Sequence, residues 1–271
     1  MENAADPGAR WNALWLIDDW ISTGFARAHP VLVAKEAHLP LAAVPWPGAA
    51  AAEAAPAVGP AAAPEAAAEA APVTAPEDRA ALLAEVAAAV ASCTRCGLCA
   101  NRTTTVPGEG PLDPGVLFIG EGPGAEEDRT GRPFVGAAGQ YLDTWLPPIG
   151  LKREQCFIAN CVKCRPPQNR EPHPDELSAC LPYLERQIAI VRPRVICCLG
   201  RIAAQTVLGT TGSLGGLRGR VHELPPALAG SLGAPVPVVV TYHPSAVLRD
   251  KSTLRKPVWD DLKLLKSLLD K

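Results

Sequence analysis

Four short apolar runs constrain the fold of this chain more than any other feature. They cover residues 116–119, 157–162, 195–199 and 236–241, and segments with helical periodicity separate them. Nearly every residue of each run is apolar, so both faces of each strand should be buried, as in a parallel sheet covered by helices. The sequence therefore predicts an α/β fold with a parallel sheet between two layers of helices.

The helical segments complete this pattern. In parallel sheets, ligands bind where the carboxyl ends of the strands open into loops, so the residues that follow each run are candidates for a site. Helices are predicted over residues 77–91, 137–145, 174–191, 201–208 and 257–269.

The N-terminal third has a different composition. Residues 48–77 contain 16 alanines and 5 prolines but no aromatic residue, Lys or Arg. Such a segment buries too little apolar surface to offset the entropy of ordering. We predict an Ala/Pro-rich disordered linker over residues 47–77, between an N-terminal segment, 1–46, and a folded domain, 78–271. The tryptophan-rich part of the N-terminal segment, residues 11–46, is either a peptide that binds a protein partner or a weakly folded tail.

Charge is distributed unevenly along the chain. Residues 1–92 carry a net charge of −7 and residues 93–271 a net charge of +5, which add to −2. A basic excess suits a polyanionic partner. The chain has no run of 18 apolar residues and its start lacks the basic region of a secretory signal, so we expect a cytoplasmic protein with no membrane association. We also expect a monomer.

Five of the nine cysteines have spacings typical of metal ligation. Four thiolates that converge from separate segments can enclose a zinc ion or an iron–sulfur cluster, and the spacing does not choose between the two. The other four lie in or beside the apolar runs and are interpreted as small buried side chains. The five candidates for four positions are Cys93, Cys96, Cys99, Cys164 and Cys180.

A glycine-rich turn follows the first apolar run. Residues 120–125, Gly-Glu-Gly-Pro-Gly-Ala, match a dinucleotide-binding fingerprint, so one hypothesis is a zinc or iron–sulfur protein that binds nucleotides. Pro123 removes one backbone donor, however, and three carboxylates at positions 126–128 oppose a bound pyrophosphate. The turn therefore favours a role in which the Glu121 carboxylate faces a neutral or cationic group.

Four separated motifs together resemble the family-4 uracil-DNA glycosylases, the iron–sulfur branch of that superfamily. They are residues 120–124, 130–136, 160–170 and 242–249, and the resemblance extends from about Cys93 to the C-terminus. It implies a three-layer α/β/α sandwich with a central four-stranded parallel sheet. It also implies a monofunctional enzyme of base excision repair that hydrolyses the N-glycosidic bond of uracil in DNA, releasing uracil and leaving an abasic site.

The resemblance also implies a cofactor. A [4Fe–4S] cluster is expected on Cys93, Cys96, Cys164 and Cys180, and Cys99 is expected to be spare.

Three residues are implied in base recognition. The carboxamide of Asn160 matches the N3 donor and the O4 acceptor of uracil, an edge that cytosine reverses. Phe134 is expected to stack on the flipped base. Glu127 either excludes the methyl group of thymine or caps the following helix.

The chemistry implies two opposed charges. Breaking the bond builds positive charge on the sugar and negative charge on the departing uracil. Glu121 is expected to orient or deprotonate water and to stabilise the sugar cation, His243 to donate to uracil O2, and Asn169 to assist water or phosphate. The remaining substrate contacts are expected from the backbone of Gly122 and Gly124, the Ser245 hydroxyl, the Leu248 wedge and the Arg249 guanidinium, with uracil-containing DNA as the partner.

Overall fold

The computed structural model describes residues 76–230, 232 and 234–270. The predictions for the N-terminal segment 1–46, and for the linker as far as residue 75, lie outside the described residues. Among the helices of the described part, none is both long and apolar enough to cross a membrane.

A single five-stranded sheet forms the centre of the fold. Its strand order is β2-β1-β3-β5-β4, and every neighbouring pair is parallel except β4 with β5. All four predicted strands are present and parallel. The strands are β1, Val116–Gly120; β2, Cys156–Asn160; β3, Val195–Leu199; β4, Val221–Glu223; and β5, Pro237–Thr241.

The predicted count of four strands is wrong by one. The additional strand, β4, has three residues and pairs only with β5, at the edge of the sheet. Its side chains are exposed or half-buried, and Val221 is 42% exposed. An edge strand of this kind carries no continuous apolar run, so the pattern that revealed the buried strands could not reveal it.

Helices cover both faces of the sheet. The two predicted at 174–191 and 201–208 occur with those bounds, whereas the one predicted at 137–145 ends at Asp143. The helices are α1, Pro76–Ala91; α2, Ala125–Thr130; α3, Ala137–Asp143; α4, Pro174–Val191; α5, Arg201–Leu208; α6, Leu214–Leu217; α7, Pro226–Ala229; α8, Pro244–Arg249; and α9, Lys251–Leu269.

The last helix begins earlier than predicted. The predicted start is Pro257. The helix α9 instead begins at Lys251, where the side chain of Asp250 accepts a hydrogen bond of 3.1 Å from the Thr253 amide. Pro257 therefore lies inside the helix, because the cap fixes the start at Lys251, six residues before it.

The core has two layers, one on each face of the sheet. Along β1, Leu117 and Ile119 pack into one layer, and Val116 and Phe118 pack into the other. All five residues of the strand are buried. This double burial confirms the predicted three-layer sandwich.

Helix α1 is fixed to the end of α4 by a buried arginine. Arg79 donates to the carbonyl oxygen of Ile190 at 2.7 Å and forms two hydrogen bonds with the carboxylate of Asp113, of 2.9 and 3.0 Å. Because Cys93 lies two residues after the end of α1, this clamp also restricts where the first cysteine segment can lie.

Candidate active site

A cleft of about 550 Å³ lies at the carboxyl ends of the parallel strands. Its size falls within the range of small-molecule sites. Of the eleven predicted catalytic and substrate-binding residues, only Leu248 does not line the cleft; it is half-buried on α8, and its role as a wedge stays a prediction. The ten lining residues are Glu121, Gly122, Gly124, Glu127, Phe134, Asn160, Asn169, His243, Ser245 and Arg249.

Asn160 is the last residue of β2 and is 1% exposed. Its side-chain oxygen, Oδ1, has no hydrogen-bond partner among the described residues, although it is buried. A buried acceptor without a donor costs about 1–3 kcal/mol, so a ligand that supplies a donor recovers that free energy. In the sheet, Asn160 pairs with Gly120, where a Cβ atom would collide with Asn160 Oδ1 and with the Phe134 ring. Only glycine at the end of β1 leaves room for both groups.

The ring of Phe134 lies against this end of the sheet and is 5% exposed. Its centroid is 5.6 Å from that of the His243 ring, with an interplanar angle of 37°. The backbone of Phe134 has a φ of +51°, a left-handed conformation that is rare for a bulky side chain. Arg153 holds it there, donating to the carbonyl oxygens of Phe134 at 3.0 Å and of Pro133 at 2.6 Å.

Glu127 supports the same loop from the other side. Its carboxylate accepts backbone hydrogen bonds from Val135 at 2.9 Å, Gly136 at 2.8 Å and Gly124 at 3.1 Å. The last of these bonds caps helix α2. Glu127 therefore has the capping role that was one of its two predicted roles, and the exclusion of thymine stays a prediction.

The hydrogen bonds of His243 determine which ring nitrogen carries its proton. Nδ1 accepts the Ser245 amide N–H at 3.2 Å and lies 2.8 Å from the Ser245 hydroxyl. Because an amide can only donate, Nδ1 is unprotonated and the proton of the neutral ring is on Nε2. Burial, with a smaller contribution from the Arg249 charge, lowers the pKa of His243 to about 4, against the opposing effect of Glu127. At neutral pH the ring is therefore an uncharged Nε2–H donor.

Glu121 is the half-buried carboxylate of the glycine-rich turn. Burial and the negative charge of Glu171 raise its pKa, and the positive charge of Arg201 partly opposes them. Arg201 and Glu171 form an ion pair and both line the cleft. This pair was not predicted from the sequence, although the position of Arg201 directly after β3, at the edge where ligands bind, could have indicated it.

Asn169 lies in a tight turn at the rim of the cleft. It is exposed, and its side-chain oxygen accepts a hydrogen bond of 2.8 Å from Arg165 Nε. Both Gln168 and Asn169 have a φ of +55°. The turn, Pro167–Asn169, is a short 3₁₀ helix.

All five candidate ligand cysteines line a second pocket, which we call the cysteine pocket. Hydrogen-bond donors approach three of the sulfur atoms. Arg102 Nη1 is 3.3 Å from Cys164 Sγ, the Lys163 amide is 3.3 Å from Cys180 Sγ, and the Arg95 amide is 3.5 Å from Cys93 Sγ. Thiolates that accept such bonds suit an iron–sulfur cluster or zinc. In the part of the chain that the structure describes, no three His, Cys, Asp or Glu side chains form a group able to hold a single metal ion. The lining cysteines are Cys93, Cys96, Cys99, Cys164 and Cys180.

The other four cysteines lie in or beside the sheet and are each at most 1% exposed. Burial raises the pKa of every one of these thiols, so they are protonated apolar groups at neutral pH. They are Cys156, Cys161, Cys197 and Cys198.

Comparison with known proteins decides the family. A model of the uracil DNA glycosylase superfamily matches residues 107–263. This chain belongs to that superfamily. The type-4 uracil-DNA glycosylase of Pyrobaculum aerophilum is 45% identical over 177 residues, which are 64% of this chain and 87% of the relative. The type-4 enzyme of Thermotoga maritima is 44% identical over 71% of this chain and 97% of its own length.

A further relative extends this agreement. The type-4 enzyme of Archaeoglobus fulgidus is 40% identical over 70% of this chain and 94% of its own length. The type-5 uracil-DNA glycosylase of Thermus thermophilus is 35% identical over a shorter part, 40% of this chain and 55% of the relative. The predicted resemblance to family-4 uracil-DNA glycosylases is therefore confirmed, and the superfamily match includes the cleft.

Proposed function

We propose that this chain is a monofunctional DNA repair hydrolase that releases uracil from DNA and leaves an abasic site. The observation that carries the proposal is the buried and unpaired Oδ1 of Asn160 in the wall of the cleft. The type-4 relatives bear the name of this activity, and the family match supports assigning it to this chain rather than the alternative of a nucleotide-binding protein.

Base recognition starts from the Asn160 carboxamide. A base inside a duplex is out of reach, so a glycosylase extrudes the target nucleotide and binds its Watson–Crick edge in a pocket. Oδ1 would accept the N3–H of uracil, and Nδ2 would donate to O4. Cytosine presents the opposite pattern and would leave two buried groups unpaired, each at a cost of about 1–3 kcal/mol.

Phe134 supplies an apolar face for the same base. Stacking of a base on an aromatic ring is worth about 1–3 kcal/mol and does not depend on the base. The clamps from Glu127 and Arg153 hold the loop before any ligand arrives. The ring therefore binds the extruded base without an additional ordering cost.

His243 would stabilise the departing uracil. Negative charge develops on the pyrimidine as the glycosidic bond breaks, and a fixed donor at O2 stabilises that charge. The Nε2–H of the neutral ring supplies the donor, because Ser245 already occupies Nδ1. The lowered pKa of His243, about 4, keeps the ring in this state throughout the neutral range.

Glu121 would stabilise the positive charge of the sugar. Its carboxylate is half-buried, so its field is less screened by water than that of an exposed acid. The same group can orient the attacking water, and Asn169 at the rim can hold either that water or a phosphate.

The walls of the cleft would hold the DNA. The guanidinium of Arg249 is a donor suited to phosphate oxygens, and the Ser245 hydroxyl would donate to a phosphate only by releasing the hydrogen that it directs at His243 Nδ1. The backbone of Gly122 and Gly124 allows close approach of the strand, and Leu248 would fill the space left by the extruded base.

The cysteine pocket would hold a [4Fe–4S] cluster on Cys93, Cys96, Cys164 and Cys180, with Cys99 spare. When bound, the cluster links the segment after α1 to the segment around α4, which is a stabilising role rather than a catalytic one. Arg102 would support it, since its guanidinium also donates to the Cys93 carbonyl oxygen at 2.7 Å.

The organisation of the whole chain is proposed on the sequence alone. We propose an N-terminal segment 1–46, an Ala/Pro-rich linker 47–77, of which the last two residues begin α1, and a glycosylase domain 78–271. A protein partner for residues 11–46, a monomeric state and a cytoplasmic location are further predictions of the same kind.

The test is incubation of the purified chain with a uracil-containing oligonucleotide and with matched oligonucleotides that carry thymine or cytosine. Alkaline treatment afterwards cleaves the strand at abasic sites. We expect cleavage only at uracil, with release of free uracil and no strand break before the alkali. Intact uracil DNA, or a strand break without alkali, would contradict the proposal.

A further inference from the structure

A single buried lysine lies between the cysteine pocket and Asn160. Lys163 is 1% exposed and lines the cysteine pocket. Its ammonium nitrogen, Nζ, donates to the backbone carbonyl oxygen of Asn160 at 2.8 Å. The end of β2 that carries the base-reading carboxamide is therefore held from the side of the cysteines.

A second acceptor fixes the direction of this side chain. Lys163 Nζ donates to Gln187 Oε1 at 2.6 Å, and Gln187 Nε2 in turn donates to the carbonyl oxygen of Pro107 at 2.7 Å. Gln187 is on α4 and is itself buried. Because both ends of the Gln187 amide are occupied, its oxygen can face only the ammonium group.

The main chain of Lys163 is also fixed. Its amide donates to Cys180 Sγ at 3.3 Å, and its carbonyl oxygen accepts from the Val106 amide at 2.8 Å. The next residue is Cys164, another proposed ligand. The position of Lys163 is thus tied to the cysteine pocket through the backbone, and to Asn160 through the side chain.

A buried ammonium group is costly, so its retention needs a reason. Among the described residues no carboxylate forms an ion pair with Lys163. Removing such a charge from water costs several kcal/mol, and an apolar side chain of similar length would avoid that cost. An apolar side chain, however, could not donate to the Asn160 carbonyl. A set of thiolates in the adjacent pocket would also favour a cation there.

We propose that Lys163 is a positioning residue that fixes Asn160 so that its carboxamide faces the uracil edge. This inference rests on the proposed function and adds a determinant of base selectivity behind the cleft. Without the ammonium group the buried Asn160 carbonyl loses its donor and the end of β2 can shift. A misplacement of about 1 Å can cost about 100-fold in rate, so we expect a loss of roughly 10-fold to 100-fold.

The test compares Lys163→Met, Lys163→Arg and the exposed-lysine control Lys152→Met. Iron per chain and the visible absorption of the cluster are measured first, followed by the unfolding temperature. The kcat and KM for uracil excision are then determined per iron-loaded chain, together with the ratio of uracil to cytosine excision. Inhibition by free uracil is measured on the same samples and reports base binding independently of turnover.

We expect Lys163→Met to keep its iron but lose 10-fold or more in kcat/KM, to bind free uracil more weakly and to discriminate less against cytosine. Lys163→Arg should recover part of the loss, and Lys152→Met should match the original chain. The inference is overturned if Lys163→Met loses activity only in proportion to its iron, or if uracil inhibition is unchanged.

A second variant decides the question if Lys163→Met does not fold. Gln187→Met removes one acceptor while the lysine stays in place, and we expect a loss of about 3-fold to 10-fold with weaker uracil inhibition, in line with one hydrogen bond. Unchanged uracil inhibition in that variant would overturn the inference. If the original chain itself fails to release uracil, the proposed function fails instead, and that result is separate from any difference among the variants.

Discussion

The cysteine pocket and the cleft lie close together but differ in whether their polar groups have hydrogen-bond partners. In the cysteine pocket, sulfur atoms and loop carbonyls receive hydrogen bonds from Arg102 and from the Lys163 backbone. In the cleft, Asn160 Oδ1 is buried without a partner, and the carboxylate of Glu121 makes no hydrogen bond within the described residues. Groups that are already paired stabilise the chain, whereas unpaired ones lower stability and are available to a ligand. Substitutions in the two pockets should therefore separate into effects on folding and effects on turnover.

The largest effect should come from removing a cluster ligand. In Cys180→Ala three thiolates remain for a cluster that needs four, so we expect loss of bound iron and a large fall in the unfolding temperature, because metal binding contributes to folding. Iron analysis and thermal unfolding measure both. The matched variant Cys99→Ala should keep its iron. Loss of iron from Cys99→Ala, or retention in Cys180→Ala, would break the proposed ligand assignment.

His243→Ala should give the next largest effect, mainly on turnover. Removing a single donor to a developing negative charge costs about 100-fold to 1,000-fold in kcat. Affinity for DNA should change little, and the unfolding temperature should fall slightly because the His243 ring also caps α8. Single-turnover kinetics and DNA titration measure the two quantities, and His222→Ala, a change outside the cleft, is the control. Equal losses in turnover and DNA affinity would contradict the role of His243 as a donor to the departing uracil.

Asn160→Asp should change which base is released. A carboxylate cannot donate to uracil O4 but can accept from the amino group of cytosine, so uracil excision should fall by about 10-fold to 100-fold and cytosine excision should become measurable. Excision from matched oligonucleotides checks both. Asn101→Asp introduces the same charge on an exposed residue and should leave the ratio unchanged. Lack of cytosine excision in an otherwise folded Asn160→Asp would show that the carboxamide does not select the base.

The pH dependence of kcat/KM should show the effect of the negative charge of Glu171 on Glu121. Burial and Glu171 raise the pKa of Glu121, so activity that needs its carboxylate is present above that pKa and is lost as the pH falls through it. Glu171→Gln removes the like charge and should move the acidic limb of the kcat/KM profile to lower pH. Glu154→Gln, an exposed control, should leave the limb in place. A limb that does not move in Glu171→Gln would show that another group controls it.

The smallest effect should come from the loop that carries Phe134. Arg153→Met removes the hydrogen bonds to the Pro133 and Phe134 carbonyls, so the strained loop should relax and base stacking should weaken. A loss of one or two such bonds predicts a rise in KM of about 3-fold to 10-fold with little change in kcat. Arg153→Lys should recover part of the affinity, and Arg186→Met, which removes an exposed ion pair, should have no effect. A change in kcat alone would contradict a role in base binding.

Much of the fold and of the site could be predicted from local sequence. Apolar runs and apolar periodicity predicted the four buried strands and the helices at 174–191 and 201–208. The glycine residues predicted the place of the turn after β1. The resemblance then brought Asn160, Phe134 and His243 to one cleft. The predicted start of α9 was wrong and the edge strand β4 was not predicted. A capping hydrogen bond and an exposed edge strand both leave only weak signals in the sequence.

The sequence by itself determined the layer architecture and the residue types at the strand ends, because strands that are apolar on both faces need a covering layer on each side. Only the tertiary structure decided which polar groups meet. Arg201 pairs with Glu171, Arg153 holds the Phe134 loop, and Lys163 reaches the Asn160 carbonyl from the side of the cysteine pocket. Most of these contacts join residues far apart along the chain, and all of them depend on distances and hydrogen-bond directions that no local pattern records.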